Sequence, residues 1–87
     1  MKEYHKKTNF YKVIGDNISF CRIKNKYKQK EVAILIGVST TNYNRIEKGR
    51  SRPSIELIYK ICFLLKCDLY DILPRLTDVK SNDFNCC

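Results

Sequence analysis

The chain has 87 residues, which is enough for one domain and too few for a second hydrophobic core. Apolar residues make up 44% of the sequence, which is ample for a small helical bundle, and the formal net charge is +8. Residues 1–52 carry 13 basic and 4 acidic groups, net +9, whereas residues 53–87 carry 4 and 5, net −1. Solvated surfaces usually mix both signs, so the first part of the chain is predicted to bind a polyanion, most simply nucleic acid.

The sequence lacks the patterns typical of membrane proteins and enzymes. The charged N-terminus is followed by no apolar segment, and no apolar run is long enough for a membrane span, so we expect a cytoplasmic location and no membrane partner. Paired carboxylates, a nucleophile with its base and a phosphate-binding glycine loop are missing from the sequence, and His5 is the only histidine. We therefore predict no enzyme activity, no catalytic residues and no cofactor.

The five cysteines form no CxxC pair and no zinc-type spacing, so no metal site is predicted. Cys21 and Cys62 fall at inward helical positions, where a reduced thiol behaves as a small apolar side chain. The adjacent Cys86 and Cys87 leave two interpretations open, either a redox-active or soft-metal pair or simply a frayed chain end.

The first quarter of the chain predicts an arm followed by a helix. Residues 1–12 are basic with interleaved aromatic side chains, and this arm either contacts nucleic acid or is a flexible end. From about Val13 to Lys26, inward candidates recur at steps of three and four residues, which predicts an amphipathic helix whose start Gly15 weakens. These inward candidates are Ile14, Ile18, Cys21 and Asn25.

Residues 29–49 (QKEVAILIGVSTTNYNRIEKG) predict two short helices joined by a tight turn. Gly37 suits the left-handed end of the first helix, and Ser39 is placed to cap the second. Ala33 is small enough for two helices to cross closely after so short a turn, and Tyr43 and Ile46 are the inward positions of the second helix.

The last part of the chain predicts two further helices and a tail. Ser54 is placed to cap a fourth helix, and Asp68 a short fifth helix that ends before Pro74. Residues 74–87 lack periodicity and are expected to be partly disordered. The apolar stripe of the fourth helix is Ile55, Ile58, Ile61, Cys62 and Leu65.

From about Ile14 to Leu73 the chain resembles the Cro and phage-repressor-like helix-turn-helix regulators, also called the xenobiotic-response-element (XRE) family. The residues that carry the resemblance are Gln29, Ala33, Gly37, Val38, Ser39, Ile46, Glu47 and Gly49, followed by Pro53, Ser54, Leu65 and Asp68. The resemblance implies an all-α, compact, five-helix lambda-repressor-like DNA-binding domain over residues 13–73. Lys28 departs from the family, because the residue before Gln29 is usually a capping Ser, Thr or Asn.

The resemblance also implies the positions that contact DNA. Thr40, Thr41 and Arg45 are the usual base readers, and Asn44 lies on the same candidate face; the Arg45 guanidinium matches guanine best. The resemblance implies phosphate contacts from Gln29 and Asn42. The basic side chains of Lys28, Arg50 and Arg52 are expected, from their charge and position, to add further phosphate contacts. In the family, the residues matching Arg22 and Glu47 form a structural ion pair, so we expect the same pair here.

A second surface is predicted from aromatic residues that lie off the core stripe. Tyr59 and Phe63 are four residues apart on the fourth helix, and with Tyr70 they form a candidate dimer interface, which we call the aromatic face. The alternative is that these rings cover the edge of the core or lie under the C-terminal tail.

We therefore expect a transcriptional regulator, a small dimeric repressor or controller that occupies a palindromic operator in double-stranded DNA. The alternative is an antitoxin-type module of the same fold, which binds a toxin partner and regulates its own promoter. RNA binding is also compatible with the charge, although a recognition helix favours duplex DNA.

Overall fold

The computed structural model describes residues 5–74, and these residues form five helices and no strand. The helices are α1 (His5–Lys24), α2 (Gln29–Ile36), α3 (Thr40–Glu47), α4 (Ile55–Leu65) and α5 (Leu69–Ile72). The prediction of an all-α fold with five helices is confirmed. Residues 1–4 of the expected arm and residues 75–87 of the expected tail, with Cys86 and Cys87, lie outside the described residues.

The start of α1 differs from the prediction, because the helix begins at His5 rather than near Val13. Residues 5–12, which the sequence analysis placed in an arm, are helical. Phe10 and Tyr11 are half-buried against the core, and Arg52 lies over the Tyr11 ring at 5.6 Å. Tertiary contacts of this kind stabilise helical turns that a sequence pattern does not mark.

Gly15 lies in the middle of α1 rather than at its start, and it lets the helix pack closely against α3. A Cβ built on Gly15 would lie 2.4 Å from the carbonyl oxygen of Glu47 and 2.5 Å from that of Ile46. No side chain fits in that space, so the backbone of α1 lies directly against the end of α3.

The turn between α2 and α3 has the predicted local structure. Gly37 adopts φ +82°, and the N–H groups of Gly37 and Val38 both donate to the Ala33 carbonyl oxygen at 3.0 Å. Ser39 Oγ then accepts from the Asn42 N–H at 3.0 Å, which caps α3. Ala33 is fully buried, as the close crossing of α2 and α3 requires.

The other helix starts are capped in two ways. Ser54 Oγ accepts from the Leu57 N–H at 3.1 Å, as predicted. Lys28 has no acceptor, and there the Glu31 carboxylate instead accepts from the Lys28 N–H at 2.7 Å. The same arrangement occurs at α5, where the Asp71 carboxylate accepts from the Asp68 N–H at 2.9 Å. Asp68 is thus at the predicted cap position, although Asp71 supplies this capping oxygen.

The core lies between α1, α4 and the helix-turn-helix pair. Two predicted inward positions are wrong: Ile55 is 66% exposed, and Asn25 is an exposed residue after α1 whose amide donates to the carbonyl oxygens of Cys21 and Leu65. Ile55 is the first residue of α4 and Asn25 directly follows the last residue of α1, so both lie at helix ends. The buried apolar residues are Ile14, Ile18, Cys21, Val32, Ala33, Ile36, Tyr43, Ile46, Ile58, Ile61, Cys62, Leu65 and Ile72.

Candidate nucleic-acid interface

Helix α3 has one buried side and one exposed side. Tyr43 and Ile46 are fully buried, and Glu47 is 7% exposed. Thr40, Thr41 and Arg45 point to solvent, and we call these three residues the reading face. Helix α3 is only eight residues long, and so short a helix is marginal in isolation. Contacts on its buried side therefore have to fix the position of its exposed side chains.

The buried side of α3 is held by a carboxylate that accepts hydrogen bonds from three directions. Glu47 Oε2 accepts from Arg22 Nε at 2.6 Å and from the Tyr43 hydroxyl at 2.6 Å, and Glu47 Oε1 accepts from Gln29 Nε2 at 3.0 Å. Arg22 Nη2 also donates to Oε1, at 3.3 Å. We call Arg22, Gln29, Tyr43 and Glu47 the Glu47 network; it joins α1, α2 and α3.

The protonation states of the Glu47 network follow from burial and these hydrogen bonds. Burial alone raises the pKa of Glu47, but the hydrogen bonds from Arg22, Tyr43 and Gln29 outweigh it and lower the pKa below its usual value. The hydrogen bond to Glu47 raises the pKa of Arg22, against the effect of burial. Burial, and then the hydrogen bond to Glu47, raises the pKa of Tyr43. The network therefore contains a charged carboxylate, a charged guanidinium and a neutral phenol at neutral pH.

The Glu47 network also fixes the start of α2. Arg22 Nη1 donates to the Tyr27 carbonyl oxygen at 2.8 Å, so one guanidinium contacts both α3 and the segment before α2. The structure brings the predicted partners Arg22 and Glu47 together with side chains only 13% and 6% exposed. An ion pair this deeply buried is costly to break from one side, because the remaining charge has no partner.

Gln29 and Asn44 were predicted to contact DNA, but the structure places both side chains partly inside the protein. Gln29 Oε1 accepts from Asn44 Nδ2 at 3.2 Å, while its amide nitrogen donates to Glu47. Both side chains are half-buried. Each amide retains some hydrogen-bonding capacity, since an amide nitrogen has two donors and its oxygen two lone pairs. Their geometry suits positioning of α3 as well as contact with DNA.

The remaining predicted phosphate contacts are exposed and lie at the ends of α2 and α3. Lys28 precedes α2, and Asn42 is exposed in the first turn of α3. The Arg50 N–H donates to the Arg45 carbonyl oxygen at 2.9 Å, so the loop after α3 folds back onto that helix. Gly49 adopts φ +74° there, and a Cβ on it would lie 2.7 Å from Lys12 Cα. This close contact holds Arg50 and Arg52 beside the N-terminal half of α1.

The aromatic face lies on the other half of the molecule. Tyr59 is 71% exposed, Phe63 87% and Tyr70 89%. With such exposure these rings do not cover the core, so that part of the alternative interpretation is wrong for the described residues. Tyr59 and Phe63 line a groove of about 240 Å³ together with Cys62, Cys67, Asp68 and Leu69.

Sequence reasoning missed two features of the structure. Tyr43 was predicted only as a core residue, yet its hydroxyl contacts Glu47; a Tyr and a Glu four residues apart on one helix are the signal that was available. The 67% exposure of Phe20 on α1, which lies outside this site, was also missed, because single exposed apolar residues on a helix are common.

A short helix capped by Ser39 after a Gly37 turn, with buried Tyr43 and Ile46 and an exposed polar side, defines a helix-turn-helix DNA-binding protein. The family model HTH_3, described as helix-turn-helix, matches residues 18–72. The chain belongs to this family of Cro/C1-type, XRE-family regulators, which bind double-stranded DNA and regulate transcription. A comparison with curated proteins gives no match. Among the described residues, none of the helices is long and apolar enough to cross a membrane.

Proposed function

We propose that this DNA-binding regulator is a cytoplasmic, dimeric repressor that occupies a palindromic operator and reads base edges with α3. The observation that carries the proposal is the construction of α3: its buried side is fixed by the Glu47 network, and its reading face is left open to solvent. A recognition helix needs both properties, because base contacts in the major groove depend on a fixed helix position.

In this proposal Arg45 supplies the strongest base contact. Its exposed guanidinium can donate two hydrogen bonds to O6 and N7 of guanine, a pairing that contributes about 1–3 kcal/mol of discrimination. Thr40 and Thr41 lie in the first turn of α3, where short side chains reach base edges or thymine methyl groups. Asn44 adds a base contact and also positions α3 through Gln29.

Phosphate contacts from Lys28, Gln29, Asn42, Arg50 and Arg52 place the reading face over the groove. Asn42 lies in the first turn of α3, the other four flank that helix along the chain, and the three basic residues are exposed. About four or five phosphate contacts per subunit give a dimer a slope of roughly −7 to −9 for log affinity against log salt concentration. Such contacts set the position of the protein on DNA, whereas α3 supplies sequence discrimination.

The aromatic face supports a dimer on the operator. Its three aromatic side chains are each more than two-thirds exposed. Their burial against a second copy of the chain would stabilise a dimer. A two-fold dimer presents two copies of α3 to two half-sites, which fits a palindrome. A toxin-type partner on the same face is the alternative, and it would compete with the dimer.

The test is fluorescence anisotropy on a duplex selected from a random pool, against a scrambled duplex, at two salt concentrations. We expect the selected duplex to bind about a thousandfold more tightly, and Arg45→Ala to remove roughly 5- to 150-fold of that margin. Lys60→Ala, which removes an exposed charge from α4, is the matched control and should retain the margin. Equal binding of both duplexes by the wild-type protein would refute sequence-specific reading.

A further inference from the structure

Three cysteines from different parts of the chain meet where α4 ends and α5 begins. Cys21 of α1 and Cys62 of α4 are each 8% exposed, and Cys67, between α4 and α5, is half-buried. Cys67 lines one groove together with Cys21 and a second groove together with Cys62. All three are free thiols in the structure.

The end of α4 brings Cys62 and Cys67 together through the backbone. Lys66 adopts the left-handed conformation with φ 55°, and the Cys67 N–H donates to the Cys62 carbonyl oxygen at 3.0 Å. In this type of helix end, the residue after the left-handed position packs its side chain against the residue that accepts this hydrogen bond. This hydrogen bond brings the two backbones close together, and a disulfide requires a Cα separation of about 4.4–6.8 Å.

From this geometry we infer that Cys62 and Cys67 form a thiol–disulfide site, in which oxidation joins the last turn of α4 to the start of α5. Cys21, the third thiol of the cluster, remains reduced in the product. It lies on α1, and no backbone hydrogen bond joins Cys21 to Cys67 among the described residues.

The reaction consumes one low-molecular-weight disulfide such as oxidised glutathione. The Cys67 thiol, the more accessible of the pair, loses its proton to water and attacks one sulfur of that disulfide, which forms a mixed disulfide and releases one glutathione thiolate. The Cys62 thiol then loses its proton to water, attacks the mixed disulfide at the Cys67 sulfur and releases the second glutathione thiolate; the two glutathione thiolates take up the two protons. Two protein thiols are thus oxidised to one disulfide while one glutathione disulfide is reduced to two thiols.

Burial raises the pKa values of Cys62 and Cys67, so both are protonated at neutral pH. Because the thiolate is the attacking species, oxidation is slower than for an exposed cysteine. The groove lined by Tyr59, Cys62, Phe63 and Cys67 gives the oxidant a route to the pair.

The chain is well suited to a peptide map of this disulfide. Trypsin cleaves after Lys66, so Cys21, Cys62 and Cys67 fall in three separate peptides, 13–22, 61–66 and 67–75. The folded protein, carrying Cys86→Ser and Cys87→Ser to remove the terminal thiols, is incubated with oxidised glutathione, blocked with N-ethylmaleimide, digested and examined by mass spectrometry. We expect peptides 61–66 and 67–75 to appear as one linked species that reduction separates.

Single substitutions test the assignment. Cys62→Ser should remove the linked species and leave a glutathione adduct on Cys67, whereas Cys21→Ser should retain the linkage; circular dichroism checks that each variant is folded. Peptide 13–22 linked to 67–75 as the main product would overturn the inference. So would a product that carries only glutathione adducts, or a linkage that forms only after the protein is unfolded.

A second consequence rests on the proposed function. Because the disulfide lies in the wall of the groove beside Tyr59 and Phe63, oxidation should weaken or strengthen the dimer at least threefold in sedimentation experiments. No change would refute that regulatory effect. The peptide map does not depend on dimerisation or DNA binding, so failure of the proposed function leaves its result intact.

Discussion

The two halves of the molecule differ in which groups are buried and which are exposed. Around α3, a buried carboxylate receives donors from Arg22, Gln29 and Tyr43, and the exposed side chains are polar. Around the end of α4 and α5, three aromatic rings are among the exposed residues, and the buried side chains are aliphatic groups and thiols. The first arrangement fixes a helix within the protein, whereas the second leaves apolar area for another molecule. Substitutions in the first half should therefore change stability, and those in the second half association.

The largest expected effect is the loss of the buried ion pair. Glu47→Gln keeps the shape of the side chain but leaves the Arg22 charge buried without a counter-charge, which costs about 3–5 kcal/mol of unfolding free energy. Urea denaturation followed by circular dichroism measures this change.

The exposed pair Lys12–Asp16 is a matched control, because its N–O distance is also 2.6 Å while its side chains are 53% and 60% exposed. Asp16→Asn should change stability by less than about 1 kcal/mol. Equal effects of the two substitutions would mean that burial does not set the contribution of the Glu47 network.

The pH dependence of stability is the second prediction. Since the pKa of Glu47 is lower in the folded state than in the unfolded state, its contribution is fully present above the unfolded value of about 4.3 and is lost as the pH falls through the folded value. Urea denaturation between pH 7 and pH 3 should show stability falling below about pH 5. Glu47→Gln should flatten this part of the curve; an unchanged slope would contradict the assignment.

Phe63→Ser tests the other half of the comparison. Phe63 is 87% exposed, so its replacement should change the unfolding free energy of the monomer by no more than about 0.5 kcal/mol. In the proposed dimer it should cost about 1–2 kcal/mol of association, roughly a tenfold change in the dimer dissociation constant measured by sedimentation equilibrium. Ile34→Ser, which removes an exposed apolar side chain from α2, is the control and should leave dimerisation unchanged.

The smallest expected effect is at the start of α2. Lys28→Ser introduces an acceptor for the free amides of α2 and should stabilise the protein by about 0.5–1 kcal/mol, while it removes one predicted phosphate contact. A thermal unfolding scan and the salt slope of DNA binding measure the two effects. A rise in stability with no decrease in the slope would exclude Lys28 as a phosphate contact.

The helix-turn-helix pair was predictable because its signals are local. Gly37 and Ser39 act within one turn of the chain, and both have the predicted conformation and hydrogen bond. Gly15 and the start of α1 were not predictable, because the first depends on how closely α1 approaches α3 and the second on contacts of Tyr11 with a distant loop. The orientation of Gln29 toward Glu47 likewise depends on a tertiary contact, which a sequence motif does not specify. The roles of the reading face on DNA stay predictions.

The Glu47 carboxylate has a consequence for how the protein folds. Its donors come from α1, α2 and α3, so none of these helices can complete the hydrogen bonds of Glu47 alone. Helices of eight residues, such as α2 and α3, are marginal in isolation. A recognition helix that depends on a carboxylate shared by three elements should form only in the all-or-none folding transition. A partly folded chain would then be unable to bind DNA, and the fraction of protein competent to bind DNA would equal the fraction of folded protein.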